Sequence, residues 1–167
     1  MSDDAALVRK LMPAVLEAGA CLMRCRAEGV RAEQKGDGSP VSRADREAEA
    51  IVLAALARFA RDVPVIAEEA VSAGIVPAVG DQAFLVDALD GTREYLRGGD
   101  DFTVNVGLVR SGVPVLGIVL APASGRLFAT IAPAKEFRVE TNGWLWPEGH
   151  NVMYERGPAG MAVRFSE

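Results

Sequence analysis

Carboxylates placed just after apolar segments are the residues of this sequence best suited to do chemistry. Val63-Pro64-Val65-Ile66-Ala67 runs into Glu68-Glu69, and Ala83-Phe84-Leu85-Val86 runs into Asp87. Asp90 follows in Asp87-Ala88-Leu89-Asp90-Gly91-Thr92. Acids at the ends of buried strands pack poorly, and their mutual repulsion is costly where they converge. A divalent cation removes that cost. Magnesium takes hard oxygen ligands, a few carboxylates completed by water and a substrate phosphate. An Asp-x-x-Asp step bends two carboxylates around one turn, so that one can bridge two ions while the other ligates the second. The same residues also suit a plainer role as turn formers and helix caps, which fits Asp90-Gly91-Thr92 well. Asp45, in Ser42-Arg43-Ala44-Asp45, reads by itself as part of a helix-capping box.

The elements that must position these acids follow from the apolar spacing. Leu7, Leu11, Val15, Ala18 and Leu22 recur at helical intervals and predict an amphipathic helix over 3–28, with Pro13 as a point of kinking. Residues 30–41 carry Gly36, Gly38 and Pro40 and predict a loop or short hairpin. A second helix is expected from the capping box to about Asp62, with Ala48, Ile51, Val52, Ala55, Leu56 and Phe59 on its apolar face. From Val63 the period shortens. Strands are expected at 63–67, 83–86, 102–110, 113–121, 127–131 and 137–140. A loop over 70–82 and a helical turn from Thr92 to Leu96 lie between them. Ser111-Gly112, Ser124-Gly125 and Asn142-Gly143 are turn signals. Two helices followed by a mostly antiparallel sheet predict an α+β layered sandwich. Beyond Trp144 no period is legible, and Trp144, Trp146, His150 and Tyr154 stand among Pro and Gly.

Composition narrows the function. Half of the 167 residues are hydrophobic and a quarter are charged, as in an ordinary globular domain. The net charge of −5 and the lack of a basic stripe argue against binding a nucleic-acid polymer. A small phosphate substrate stays open, because bound cations reverse the local charge. The acidic start is no signal peptide, and the most apolar run, Val113–Ala121, is too short to span a bilayer. A cytoplasmic protein is expected, with peripheral membrane contact left open. Cys21 and Cys25, one helical turn apart, read as two small buried hydrophobes.

Three blocks, in their order and separation, resemble the inositol monophosphatase-like, lithium-sensitive, metal-dependent phosphatases. They are Lys35-Gly36-Asp37-Gly38-Ser39-Pro40-Val41-Ser42-Arg43-Ala44-Asp45, Ala67-Glu68-Glu69, and Val86-Asp87-Ala88-Leu89-Asp90-Gly91-Thr92-Arg93-Glu94-Tyr95. A fourth, Phe102-Thr103-Val104-Asn105-Val106, taken with the Gly91–Tyr95 segment, is more similar to the CysQ-type 3′(2′),5′-bisphosphate nucleotidases than to the inositol phosphatases. The resemblance implies a layered α/β sandwich of the sugar-phosphatase type, with residues 1–143 as its metal-binding lobe and 144–167 as an atypical tail. It implies that Glu68, Asp87, Asp90 and the backbone carbonyl of Leu89 hold two or more magnesium ions, with manganese as a substitute and lithium as an inhibitor. It implies that Asp45 and Thr92 orient the attacking water, and that the substrate phosphate lies against the backbone of Gly91 and Thr92.

Two departures stand out. Ala88 replaces the family's usual Pro. No Trp-Asp pair occurs, since Trp144 is followed by Leu145 and Trp146 by Pro147, so the family's second lobe, with its further metal-ligating Asp, is expected to be missing. The uncovered strand Val113–Ala121 would then favour a homodimer or aggregation through an open face or edge. The implied reaction is the hydrolysis of adenosine 3′,5′-bisphosphate, a small phosphorylated substrate, to AMP and phosphate by direct water attack. An inositol monophosphatase is the alternative. A catalytically inactive remnant, or a metal-binding interaction module, is the reading of a different class.

Overall fold

Apolar residues recur at helical spacing near the N-terminus and at every second position from Thr103 onward, and the chain folds accordingly into one helical layer against one sheet. The computed structural model describes residues 3–29, 32–34, 40–131, 135–140, 152–157 and 160–165. Helix α1 (Asp3–Glu28) is followed by a hairpin of β1 (Ala32–Gln34) and β2 (Pro40–Ser42), and then by α2 (Arg43–Phe59). Strand β3 (Val65–Ala67) leads directly into the short helix α3 (Glu68–Ser72). Strand β4 (Gln82–Asp90) and helix α4 (Thr92–Leu96) come next. The meander β5 (Thr103–Arg110), β6 (Val113–Ala121), β7 (Arg126–Ile131) and β8 (Lys135–Glu140) completes a six-stranded sheet in the order β3-β4-β5-β6-β7-β8. Only β3 and β4 run parallel within it; every other pair is antiparallel. Strands β9 (Val152–Gly157) and β10 (Gly160–Phe165) form a separate antiparallel hairpin. The α+β architecture expected from the sequence, two helices on a mainly antiparallel sheet, is the one observed.

One face of the sheet carries the core. Val104, Val106 and Leu108 of β5 alternate inward with Leu116, Ile118 and Leu120 of β6, and all are buried. They meet Leu11, Val15 and Leu22 of α1 and Val52 and Leu56 of α2. Each fully buried side chain of this kind contributes about 1.5–3 kcal/mol. Helix α1 runs unbroken through Pro13, which is exposed to solvent. Gly19 lets α1 lie close to the sheet, because a Cβ there would collide with the Leu120 side chain. At its start α1 is tied to β5, where Arg110 donates to both carboxylate oxygens of Asp4 at 2.8 and 2.7 Å. That guanidinium holds the Asp4 carboxyl below its ordinary value.

The opposite face is open. Leu85, Val119 and Phe128 present there, 46%, 39% and 39% exposed, and so leave an apolar patch on the sheet. Val113–Ala121 contributes to an uncovered face as the sequence suggested, but it is no edge: β6 is paired on both sides, and the edges are β3 and β8.

Several boundaries differ from the sequence reading. The segment expected as a loop from residue 70 begins inside α3, which breaks off at Ser72. Strand β4 extends to Asp90 rather than ending at Asp87. Helix α2 ends at Phe59, short of Asp62, and β3 starts at Val65. On α2 the fully buried stripe is Ala44, Asp45, Ala48, Glu49, Val52 and Leu56; the expected Ile51, Ala55 and Phe59 pack half-buried against the core beside it, and the two acids were not foreseen there. The segment beyond Trp144 holds β9 and β10, with Tyr154 in β9. The Asn142-Gly143 turn, Trp144, Trp146 and His150 lie outside the described residues, as do Lys35 to Ser39 and the Ser42 side chain offered as a cap.

Helix α4 is anchored by Tyr95, whose ring meets Phe102 edge-on at 5.0 Å and whose buried hydroxyl donates to the Leu22 carbonyl at 2.7 Å. Replacing Tyr95 by Phe removes that one bond while keeping the ring. Denaturant unfolding of Tyr95→Phe is expected to show a loss of about 1 kcal/mol with an unchanged m-value. Stability equal to the parent would show that the bond to α1 does not hold α4.

Candidate active site

The acids singled out in the sequence meet because of strand register. Parallel pairing sets Val65 opposite Phe84 and Ala67 opposite Val86. The next residues, Glu68 and Asp87, therefore emerge side by side at the carboxyl ends of β3 and β4. The two carboxyl groups are close enough for Glu68 to raise the Asp87 carboxyl. Asp90 is brought in differently. In a regular strand Asp87 and Asp90 would point to opposite faces, because the side-chain period is two. Here Asp87 pairs with Asn105 and Asp90 with Thr103, and the register shifts between them. Two residues, Ala88 and Leu89, stand against the single Val104, so one extra residue is accommodated as a bulge. The bulge returns Asp90 to the face of Asp87 while Ala88 and Leu89 both go into the core. Asn105 completes the register by donating from Nδ2 to Asp90 Oδ2 at 3.3 Å.

Asp87 carries the electrostatic cost of this arrangement. Burial pushes its carboxyl up to about 7, and the charges of Glu68 and then Asp90 add to the rise. The Leu89 N–H, donating to Oδ1 at 3.2 Å, opposes it. Asp87 is thus the acid shared by two neighbours. Glu68 and Asp87 also line a cavity of about 680 Å³ over the open face of the sheet, together with Asn105, Gly107 and Gly117. Among the described residues, the trio of potential ligand atoms drawn within 4.8 Å of one another is a different one, Cys21, Cys25 and Glu47. Glu68 and Asp90 flank Asp87 rather than closing into one tight cluster with it.

Helix α2 supplies two buried acids one turn apart. Asp45, 2% exposed, accepts a hydrogen bond at 3.1 Å from Oγ1 of Thr92. The same hydroxyl lies 3.0 Å from the Leu89 carbonyl. A hydroxyl has one proton, and a carboxylate is the stronger acceptor. Asp45 therefore orients Thr92 and leaves the lone pairs of Oγ1 free to accept. Glu49, 4% exposed, does other work. The residue that precedes helix α3 in the capping position is Ala67, which has no side chain able to cap it. Glu49 accepts the N–H groups of Glu69 at 2.8 Å and Ala70 at 3.0 Å in its place, and so fixes the turn from which Glu68 projects.

Gly91 joins the bulge to α4. Its φ of 90° is left-handed, and a Cβ would lie 2.6 Å from the Asp101 carbonyl oxygen. Only glycine lets Thr92 follow Asp90 so closely. Of the residues predicted from the sequence, Asp87 thus stands with Glu68 on one side and Asp90 on the other, and Asp45, Leu89 and Thr92 form a connected group beside them. Glu49 and Asn105 were not anticipated as site residues. For Glu49 the signal was present, an acid between Ala48 and Val52 on an otherwise apolar helix face.

Residues 4–143 match the inositol monophosphatase family. Over 89 residues the chain is 43% identical to the 3′(2′),5′-bisphosphate nucleotidase CysQ of Salmonella typhimurium, covering 53% of this chain and 36% of that one. Over 128 residues it is 35% identical to an inositol-1-monophosphatase of Mesorhizobium japonicum, covering 75% and 47%. The crystal structure of CysQ from Bacteroides thetaiotaomicron matches with a TM-score of 0.65 at 28% identity, covering 90% of this chain and 54% of that one. The chain spans less than half the length of these two curated relatives. Among the described residues, no helix is long and apolar enough to cross a membrane.

The crowding of Asp87 has a consequence for stability in the absence of metal. Its folded pKa is raised to about 7 from 3.8, so the folded state binds the proton more tightly than the unfolded state does. The penalty is absent below the unfolded value, grows between the two and is complete above the folded value. In metal-free buffer, Asp87→Asn is expected to raise the melting temperature at pH 8 by several degrees more than at pH 5. A shift independent of pH would contradict the assigned crowding.

Proposed function

The chain belongs to the inositol monophosphatase family, and from that premise we propose that it carries the metal-binding part of a magnesium-dependent phosphatase acting on a 3′(2′),5′-bisphosphate nucleotide, adenosine 3′,5′-bisphosphate above all. The observation that carries the reading is the bulge that turns Asp90 onto the face of Asp87 next to Glu68. An all-oxygen donor set in which burial, followed by the neighbouring acids, raises a carboxyl toward neutrality fits a hard divalent cation. Glu68, Asp87, the Leu89 carbonyl and Asp90 would hold magnesium or manganese ions, which would acidify water and neutralise phosphoryl charge.

The chain's own groups would do the rest. Thr92 Oγ1 donates its hydrogen bond to Asp45, so its lone pairs would accept a hydrogen bond from water and aim the water's lone pair at phosphorus. The backbone N–H groups of Gly91 and Thr92, at the turn into α4, would meet a phosphate oxygen. Asn105 keeps Asp90 from rotating away. The product nucleotide would leave with the phosphate transferred to water. A cytoplasmic setting belongs to the same proposal. The substrate class rests on the 43% identity to the Salmonella enzyme. An inositol monophosphatase is the second reading, favoured by the longer match to the Mesorhizobium protein.

Calorimetry is expected to show magnesium binding that Asp87→Asn weakens at least tenfold, more than Asp90→Asn does, because only Asp87 faces both neighbours. Equal binding by the parent and Asp87→Asn would remove the site. In a fusion extended to the relatives' length, Asp90→Asn and Thr92→Ala are each expected to lower kcat on adenosine 3′,5′-bisphosphate about a hundredfold or more. Lithium is expected to inhibit the parent fusion. Residues 1–167 alone are expected to turn over little. Faster hydrolysis of inositol 1-phosphate than of the bisphosphate would select the second reading.

A further inference from the structure

Cys21 and Cys25 were expected to pack as two small hydrophobes, and Cys21 is indeed buried. Both sulfurs, however, turn to one carboxylate from the neighbouring helix. Each Sγ lies 3.7 Å from Oε2 of Glu47. All three potential ligand atoms fall within 4.8 Å of one another. A tetrahedral zinc ion, with Zn–S near 2.3 Å and Zn–O near 2.0 Å, requires about 3.5 Å between sulfur and oxygen ligands and about 3.8 Å between sulfurs. The spacing observed around Glu47 is therefore close to that of a loaded site before any ion enters.

We propose that Cys21, Cys25 and Glu47 form a zinc-binding site that bridges α1 and α2, separate from the carboxylate centre. The donor chemistry selects the ion. Two thiolates disfavour magnesium and favour zinc or its soft congeners. Three protein ligands leave a fourth position for water. Two thiolates and a carboxylate around a divalent cation leave one net negative charge, and Arg43 balances it by pairing with Oε1 of Glu47 while Oε2 faces the sulfurs. The Glu47 side chain is 39% exposed and Cys25 is half-buried, so an ion can arrive from solvent.

A redox or nucleophilic role fits less well. Burial, followed by the neighbouring Cys25, pushes the Cys21 thiol up to about 11, away from the thiolate form that such chemistry needs. A metal ion instead displaces the two thiol protons as it binds. Because Glu47 stands two residues from Asp45 on α2, the ion would clamp the helix pair next to the group that orients Thr92.

The test is a cadmium titration of the full chain, reduced by a phosphine, in excess magnesium so that the carboxylate centre is occupied by the hard ion. A near-ultraviolet thiolate-to-cadmium absorption is expected to saturate at one ion per chain and to be competed away by zinc. Cys25→Ala is expected to lose the band and weaken binding about a hundredfold, and Glu47→Gln to retain the band with affinity lowered about tenfold. Asp87→Asn is expected to bind cadmium as the parent does, which separates failure here from failure of the phosphatase reading. Should Cys25→Ala lose helical circular dichroism, Cys25→Ser makes the same comparison. No saturable band in the parent, or a band that survives both Cys25 substitutions, overturns the site.

Discussion

The in-register parallel pairing of β3 with β4 is the constraint on which the rest of this site depends. It is the single parallel contact in an otherwise antiparallel sheet. Antiparallel neighbours would place Glu68 and Asp87 at opposite ends of the pair. Parallel neighbours place both at the carboxyl end, where the backbone leaves the sheet and side chains can converge. The α2–β3 connection returns to the sheet beside β4 and makes this pairing. Burial and the charges of Glu68 and Asp90 then raise the Asp87 carboxyl toward neutrality. The fold spends stability to hold these acids together, which is what a cation site requires before it is filled.

Around that pair the structure removes freedom at each point where the acids could relax apart. The β4 bulge fixes Asp90 on the same face, and Gly91 permits the immediate turn into α4. Tyr95 pins α4 to α1. Glu49 replaces the missing side-chain cap of α3 and so fixes the direction of Glu68. Helix α2 is therefore the organising element: one of its buried acids orients Thr92, the next holds the start of α3, and Glu47 between them faces α1. Removing the Glu49 carboxylate would leave two N–H groups of α3 without their acceptor and free the Glu68 turn, although Glu49 never reaches the cavity.

Much of this was legible in the sequence. Glu68, Asp87 and Asp90 stood out because acids directly after Val65-Ile66-Ala67 and Leu85-Val86 have no packing role, and the strands behind them are continuous apolar runs. The bulge was not legible, because Asp87-Ala88-Leu89-Asp90 reads equally as a strand end followed by a turn. Whether it extends β4 is decided by Asn105 and Thr103 across the sheet, which local pattern does not reveal. Glu49 was obscured for the opposite reason: its role lies in a tertiary bond to α3, a helix too short to show a period. The apolar part of the α2 face was legible, since Ile51 and Ala55 pack half-buried beside the buried line through Ala48, Val52 and Leu56. The thiol pair was read from helical spacing as packing alone, since Glu47 enters only when α1 and α2 lie side by side.

Manganese relaxation measured on an isotope-labelled chain tests the central claim most directly, because it maps the ion onto residues without requiring turnover. At substoichiometric manganese, the backbone amide signals of Glu68, Asp87, Leu89, Asp90 and Asn105 are expected to broaden first, while those of Leu127 and Ala129 in β7 stay sharp. Magnesium in excess is expected to restore the broadened signals. Broadening spread evenly over exposed acids such as Asp62 and Asp81, with Asp87 no more affected than these, would contradict the convergence of Glu68, Asp87 and Asp90 on a shared cation.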